Sequence, residues 1–411
     1  MSIETPMVSA VIARLANAET NLAAFSGIVF PLAFIIEAPI VMLLSASTAL
    51  SKDWPSYHKV WKFMMIASGI LTLLHLIIVL TPLYDFIVRD LLGVPEQIIA
   101  PARLGLTIML PWVWSIAYRR FHQGVLIRFG HSRLVSIGTG VRLLADILVL
   151  SMGYLLGNVQ GIVVGSAAVA AGVVAEAVYI GIVAHPVVKL EVRTAALIAE
   201  TLTTRAFFAF YLPLVMTAFL SFLSSSITSA ALSRMPLAIE SLAIWSALNG
   251  LNFSLRSPGV AYNEVVVALL DEAGSYKALR QFAWKLLLVM SLVIILFTAT
   301  PISGFWFQRL TALKPALANL AQQAMWLALP MPALATAQSW FQGIILHSRK
   351  TRSITESVII FLTSISLAYL AGIAWGKTAG LFVGVAGLTL SSLVQVAWLW
   401  LRSRKLPHEQ I

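Results

Sequence analysis

Apolar runs of about twenty residues recur along the whole chain, at 1–15, 22–50, 60–82, 98–118, 134–156, 161–184, 206–231, 237–270, 283–301, 313–334, 354–375 and 380–401. A helix of that length crosses the hydrocarbon core of a bilayer, about 30 Å thick. The pattern therefore predicts an all-α polytopic membrane protein with about twelve transmembrane helices. Composition agrees: 59% of the residues are hydrophobic and 11% charged, against roughly 25% charged in soluble domains. With no cysteine, neither a disulfide framework nor a Cys-based metal site is available. A net charge of +11 would point to nucleic acid in a soluble protein. Here the positive residues mark membrane orientation, and no nucleic-acid partner is expected. The first 20 residues lack a basic start, an unbroken apolar core and a cleavage site, so no signal peptide is read there.

Nineteen of the 28 Lys and Arg residues lie in the loops after even-numbered spans or in the tail, among them Lys52, Arg119, Arg120, Arg133, Lys189, Lys277, Arg280, Arg352 and Arg404. The positive-inside bias puts those loops and both termini in the cytoplasm. The expected location is a bacterial inner (plasma) membrane, crossed many times.

One stretch occurs twice. Residues 22–57 and 242–276 each carry a charge in the middle of an apolar helix, with proline two residues on: Glu37 with Pro39, and Arg256 with Pro258. An offset of 219 residues separates the two prolines. The same offset relates Pro82 to Pro301, Pro111 to Pro330, Arg133 to Arg352, Gly161 to Gly380 and Gly165 to Gly384. The chain is therefore read as a duplication of six spans. An even number of spans makes the two repeats parallel, about an axis along the membrane normal. The expected domains are an N-terminal lobe at 1–190, an amphipathic cytoplasmic linker at 191–205, a C-terminal lobe at 206–405 and a tail at 406–411. The repeat aligns Arg14 with Arg234, so Met1 falls near Ser221. Fifteen helical residues cover about 22 Å, short of a full crossing. The first span reads as truncated, with the true chain starting upstream of Met1.

Substrate in such a bundle binds near the midplane, where ionisable residues mark function. Glu37 and Arg256 come first, either as a buried ion pair holding the halves together or as a gate. Glu4 falls at mid-membrane depth in a completed first span. Arg142 and Asp146 lie one turn apart on one face of span five and read as a self-neutralising pair. Glu176 in span six has Gln395 as its counterpart and reads as facing the aqueous side or the linker. Asn249, Asn252, Asn263 and Glu264 in span eight line a cleft or bond to neighbouring helices. Pro39 and Pro258 free backbone carbonyls beside the two charges and are candidate hinges. The aromatic residues Trp54, Trp112, Trp114, Tyr118, Trp306, Trp398 and Trp400 fit interfacial belts. No cluster has metal-ligand spacing, and no Walker loop or nucleophile elbow is present, so no metal, cofactor or enzymatic activity is expected.

Each half carries an aromatic-x-Gln-Gly signature entering a basic loop: Phe121-His122-Gln123-Gly124 before Arg133, and Trp340-Phe341-Gln342-Gly343 before Arg352. This resembles the multidrug/oligosaccharidyl-lipid/polysaccharide (MOP, MATE-like) exporter superfamily. The segment Arg256-Ser257-Pro258-Gly259, followed by Glu264, is similar to the branch of bacterial relatives of the progressive ankylosis protein. The resemblance implies a V-shaped, alternating-access transporter with a central cavity. It also implies export driven by an ion gradient or by the substrate's own gradient. It makes Glu4 the candidate first-helix carboxylate for a coupling cation, H+ or Na+.

The function expected is a secondary transporter or flippase, moving an organic anion, an amphipathic small molecule or a lipid-linked headgroup out of the cytoplasm. Membrane lipids are its surroundings, and a monomer is expected. The alternatives are a major-facilitator-type transporter and a non-catalytic scaffold or scramblase. The major-facilitator signature loop is absent between spans two and three, which reads Ser51-Lys52-Asp53-Trp54-Pro55-Ser56.

Overall fold

The computed structural model describes residues 4–197, 202–270, 275–348 and 352–404, apart from the side chains of Thr217, Ser221, Glu264, Ala268 and His347. All regular structure among them is helical. In chain order the main helices are α1 (Glu4–Ile12), α2 (Ala18–Glu37), α3 (Leu43–Leu50), α4 (Trp54–Leu80), α5 (Glu96–Ile108), α6 (Leu110–Arg128), α7 (Ser132–Leu156) and α8 (Gly161–Val192). They continue as α9 (Thr204–Ser233), α10 (Ala238–Leu269), α11 (Ser275–Ala299), α12 (Pro315–Ala328), α13 (Met331–His347), α14 (Arg352–Trp375) and α15 (Gly380–Ser403).

Among the described residues eight helices are long and apolar enough to cross a membrane, and nine with the bent pair α5–α6. The other three of the twelve expected spans have visible reasons to differ. Helix α1 has only 9 residues. Helix α10 carries Asn249, Asn252, Arg256 and Asn263. The pair α12–α13 is interrupted at Pro330. Large apolar side chains stand exposed along α4, α7 and α11, among them Ile70, Leu148 and Leu292. Such a surface suits lipid and not water. The chain is a multi-pass membrane protein.

The duplication recurs in the packing. Helices α8 and α15 begin 219 residues apart, at Gly161 and Gly380. The turns before them carry left-handed glycines, Gly157 at φ 68° and Gly376 at φ 61°, where a side chain would be strained. A Cβ at Gly153 would run into Val164, and a Cβ at Gly372, 219 residues on, into Val383. Prolines 111 and 330 stand at matching breaks; the first bends α5 against α6 by 44°. In each half the fourth span packs against both the third and the sixth, and the fifth lies on the sixth.

The two proline sites differ. Around Pro39 the helix is broken into turns between Glu37 and Leu43, whereas α10 continues through Pro258. Proline removes one N–H and crowds the carbonyl four residues back. At Pro258 that carbonyl belongs to Ser254, and Ser257 Oγ donates to it at 2.8 Å. At the first break, Tyr211 Oη donates to Pro39 O at 2.6 Å.

By compactness the chain divides into a first unit, Arg14–Ser226, and a second made of residues 4–13 with 227–404. The sequence reading divides the chain instead into lobes at 1–190 and 206–405 joined by a linker at 191–205. Within the second unit, α1 lies on α10: Ser9 and Ser246 share a 2.6 Å hydrogen bond, and a Cβ at Gly250 would stand 3.1 Å from Pro6 Cγ. Within the first unit, the start of α9 is fastened by Phe207, Phe208 and Tyr211 around Phe63, and by Phe222 stacked on Phe34. The expected linker is also partly helix, since α8 runs on to Val192 through a π-helical turn. Beyond it, the Arg193 guanidinium lies 4.6 Å over the Trp54 ring, and Lys59 Nζ donates to Leu202 O at 2.7 Å.

Candidate functional site

The first unit buries a charged network between α2, α6, α7 and α8. Residues 112, 119 and 123 share one face of α6, since spacings of seven and four return to the same side of a helix. Trp112 is fully buried there, and a buried indole N–H needs an acceptor. It donates to Glu37 Oε2 at 2.7 Å. Two turns further, Arg119 Nη1 donates to Glu176 Oε2 at 2.5 Å, and Gln123 Nε2 to Glu176 Oε1 at 2.9 Å. Arg142, from α7, places Nη1 4.0 Å from Glu176 Oε2 and its guanidinium 5.8 Å from the Trp112 ring centre.

Asp146 follows Arg142 by one turn and is fully buried. It reaches α8 at Gly172, where any Cβ would collide with its carboxylate. Glu37 Oε1 is buried without a hydrogen-bond partner among the described residues. Desolvating charges is costly and is offset only by close, well-hydrogen-bonded pairing. Glu176 has such pairing; Glu37 has one donor and an open oxygen.

The matching positions of the second half are different. Offset by 219, Arg119 becomes Gln338, Arg142 becomes Phe361, Asp146 becomes Ile365, Glu176 becomes Gln395 and Trp112 becomes Met331. There Gln395 Nε2 meets Ser357 Oγ at 3.4 Å. The same helical frame is thus built without the network, so the fold does not require it.

The second unit carries a smaller polar line on α10. Asn252 is buried with Oδ1 unpartnered among the described residues, and Arg256, one turn on, has Nε in the same condition. Asn249 is exposed. Asn263 Nδ2 donates to Ser339 O at 3.1 Å. Helix α1 runs antiparallel to α10, with Ser9 beside Ser246 and Pro6 beside Gly250. That register carries the buried Glu4 towards Asn252. The Glu264 side chain lies outside the described residues.

Three sequence readings need correction. Trp112 is not an interfacial residue; it is buried behind the Pro111 bend. Arg119 is not a loop charge, because α6 extends to Arg128 and turns it inward. Glu176 faces neither water nor the linker but the buried Arg119. Arg142 and Asp146 stand in a wider network than their own helix. Trp112, Arg119, Arg120 and Gln123 are the site residues that sequence reasoning missed. The repeat held the signal, since Arg119 and Glu176 are both replaced by glutamine in the other half.

No family model and no curated protein sequence matches the chain. Solved structures do. An inward-facing multidrug resistance MATE family transporter of the MOP superfamily superposes with a TM-score of 0.74 at 14% identity, covering 98% of this chain and 95% of that one. The lipid II flippase MurJ, in an inward closed conformation, gives 0.73 at 15% identity, covering 100% and 87%. A MOP superfamily transporter from Pyrococcus furiosus, described as having a binding pocket of reversed polarity, gives 0.62 at 16% identity, covering 98% and 94%. The chain therefore has the fold of the MATE family transporters and of MurJ.

Proposed function

We propose that the chain is a secondary active transporter or flippase of the plasma membrane. It works by alternating access and moves an organic anion, an amphipathic small molecule or a lipid-linked headgroup out of the cytoplasm. One observation carries the reading: a buried network of three carboxylates and two guanidiniums, with Arg120 half-buried beside it, occupies one of two matched halves, and the other half folds with neutral residues in most of its places. Buried ionisable groups inside a membrane bundle serve ion or substrate pathways far more often than stability. The fold, shared with drug transporters and a lipid flippase, supports the same reading.

Glu37 and Glu4 are the carboxylates assigned to a coupling cation, H+ or Na+. Glu37 is the better placed, because its second oxygen is buried and unmatched, a costly state that a proton or cation relieves. Arg142, Asp146 and Glu176 hold the network that a change of charge on Glu37 would disturb. Asn252 and Arg256 are assigned to substrate in the second unit, with Asn249 at its exposed edge.

The test copies the neutral half into the charged one. In proteoliposomes with imposed pH and sodium gradients, probes drawn from organic anions, amphipathic cations and lipid-linked sugars are screened for accumulation. Arg119→Gln/Glu176→Gln should melt within a few degrees of the parent yet lose accumulation. Full accumulation by a folded double variant would make the network structural and overturn the proposal. Gradient-independent lipid flux by the parent would favour a scramblase.

A further inference from the structure

The second unit holds a groove of about 600 Å³ between α11, α13 and α15, outside the polar line on α10. Arg280, near the start of α11, and Arg404, just past the end of α15, line one end. Leu334 and Leu393 line the other, and among the described residues none of the lining is acidic. Eleven residues separate Leu393 from Arg404, so the groove runs about 16 Å along α15. That is the depth of one leaflet, half of the ~30 Å hydrocarbon core.

The first half has the same site in a different state. Tyr57, Ser115, Tyr118, Val174 and His185 stand 219 residues before Tyr276, Leu334, Ala337, Leu393 and Arg404. There the space is two separate cavities of about 570 and 420 Å³. Tyr118 crosses it: a Cβ at Gly181 would stand 2.7 Å from the Tyr118 Oη. In the second half Ala337 takes the place of Tyr118. Trp400 takes the place of Gly181, with the Arg404 guanidinium 4.8 Å over its ring, and the space stays continuous. The arginines replace Trp61 and His185. The continuous groove, with its cations on α11 and just past α15, is therefore a property of this half; the first-half cavity has its positive side chains, Lys189 and Arg193, at other positions.

We propose that the groove binds one anionic phospholipid from the bilayer, its phosphate held by Arg280 and Arg404 and one acyl chain laid along Leu393 and Leu334. Basic pockets between membrane helices recognise anionic headgroups in this way. A zwitterionic lipid would offer the same chain without the net charge, and a free phosphate would leave the apolar length unfilled.

The full chain, purified in detergent, is titrated with phosphatidylglycerol or phosphatidylcholine and read by native mass spectrometry and melting temperature. At about fivefold per arginine, phosphatidylglycerol should bind about 25-fold more tightly than phosphatidylcholine. Arg280→Gln/Arg404→Gln should remove that preference while leaving the phosphatidylcholine response. Ala337→Tyr, which rebuilds the barrier of the first half, should weaken both lipids at this site. Its melting temperature without added lipid checks folding. Equal binding of the two lipids by the parent, or a full preference retained by the double arginine variant, would overturn the proposal. So would unchanged phosphatidylglycerol binding in folded Ala337→Tyr, or inorganic phosphate competing as strongly as the lipid.

Discussion

Glu37 keeps one oxygen on the Trp112 indole and the other without a hydrogen-bond partner among the described residues. Its charge is stabilised by one hydrogen bond and by arginines at a distance. Trp112→Phe keeps the ring and removes the donor. It should cost about 1.5–3 kcal/mol, the contribution of a hydrogen bond to a charged group, and lower the melting temperature measurably. Glu37→Gln removes the charge and accepts the same indole bond. If Glu37 couples a cation, this variant exchanges substrate but no longer accumulates it against a gradient. Unchanged accumulation would remove Glu37 from coupling, and the same assay on Glu4→Gln decides between the two carboxylates. Glu37, Arg142 and Asp146 were legible because a charge inside an apolar run stands out. Trp112 and Arg119 were not. A tryptophan or arginine near the end of a run looks like an interface marker, and its inward aim depends on how α6 turns after Pro111.

At the scale of elements, Pro39 and Pro258 test whether a repeat conserves mechanics as well as packing. Helix α10 absorbs Pro258 with a serine hydroxyl on the freed carbonyl, while the helix at Pro39 breaks and takes a tyrosine from α9. Pro39→Ala restores an N–H and should lengthen α2 towards Leu43, slowing transport with little loss of stability. Pro258→Ala, in a helix already continuous, should change the rate less. Tyr211→Phe removes the bond to the broken turn and should cost about 1 kcal/mol. Flux and melting curves on the three variants separate these effects, and equal slowing by both proline variants would refute the asymmetry. The order of the helices and the offset between halves were readable, because apolar length and turn chemistry are local. That one proline breaks its helix and the other does not was unreadable, since it rests on hydroxyls offered by neighbours.

For the whole molecule, the open question in the bilayer is which side faces the cytoplasm. Apolar length says how often the chain crosses, and only the charge bias of the loops says which way round. Both Ser132, at the start of α7, and Ser403, at the end of α15, stand beside arginines, Arg133 and Arg404. Four helices, α7, α8, α9 and α10, lead from the start of α7 to the loop before α11. The first turns of α11 carry Lys277 and Arg280, and with α10 counted as a crossing an even number of crossings returns them to the side of Ser132. The same parity holds from there to Ser403, counting the interrupted pair α12–α13 as one crossing. Orientation therefore stands or falls as a unit. The chain has no cysteine of its own, so Ser132→Cys and Ser403→Cys each give a single reporter. In intact cells both should resist a membrane-impermeant thiol reagent, and both should react once the cells are opened. Labelling of both from outside would invert the molecule and turn the proposed export into uptake. Labelling of only one would mean that a crossing between them has been miscounted, with the pair α12–α13 the first place to look.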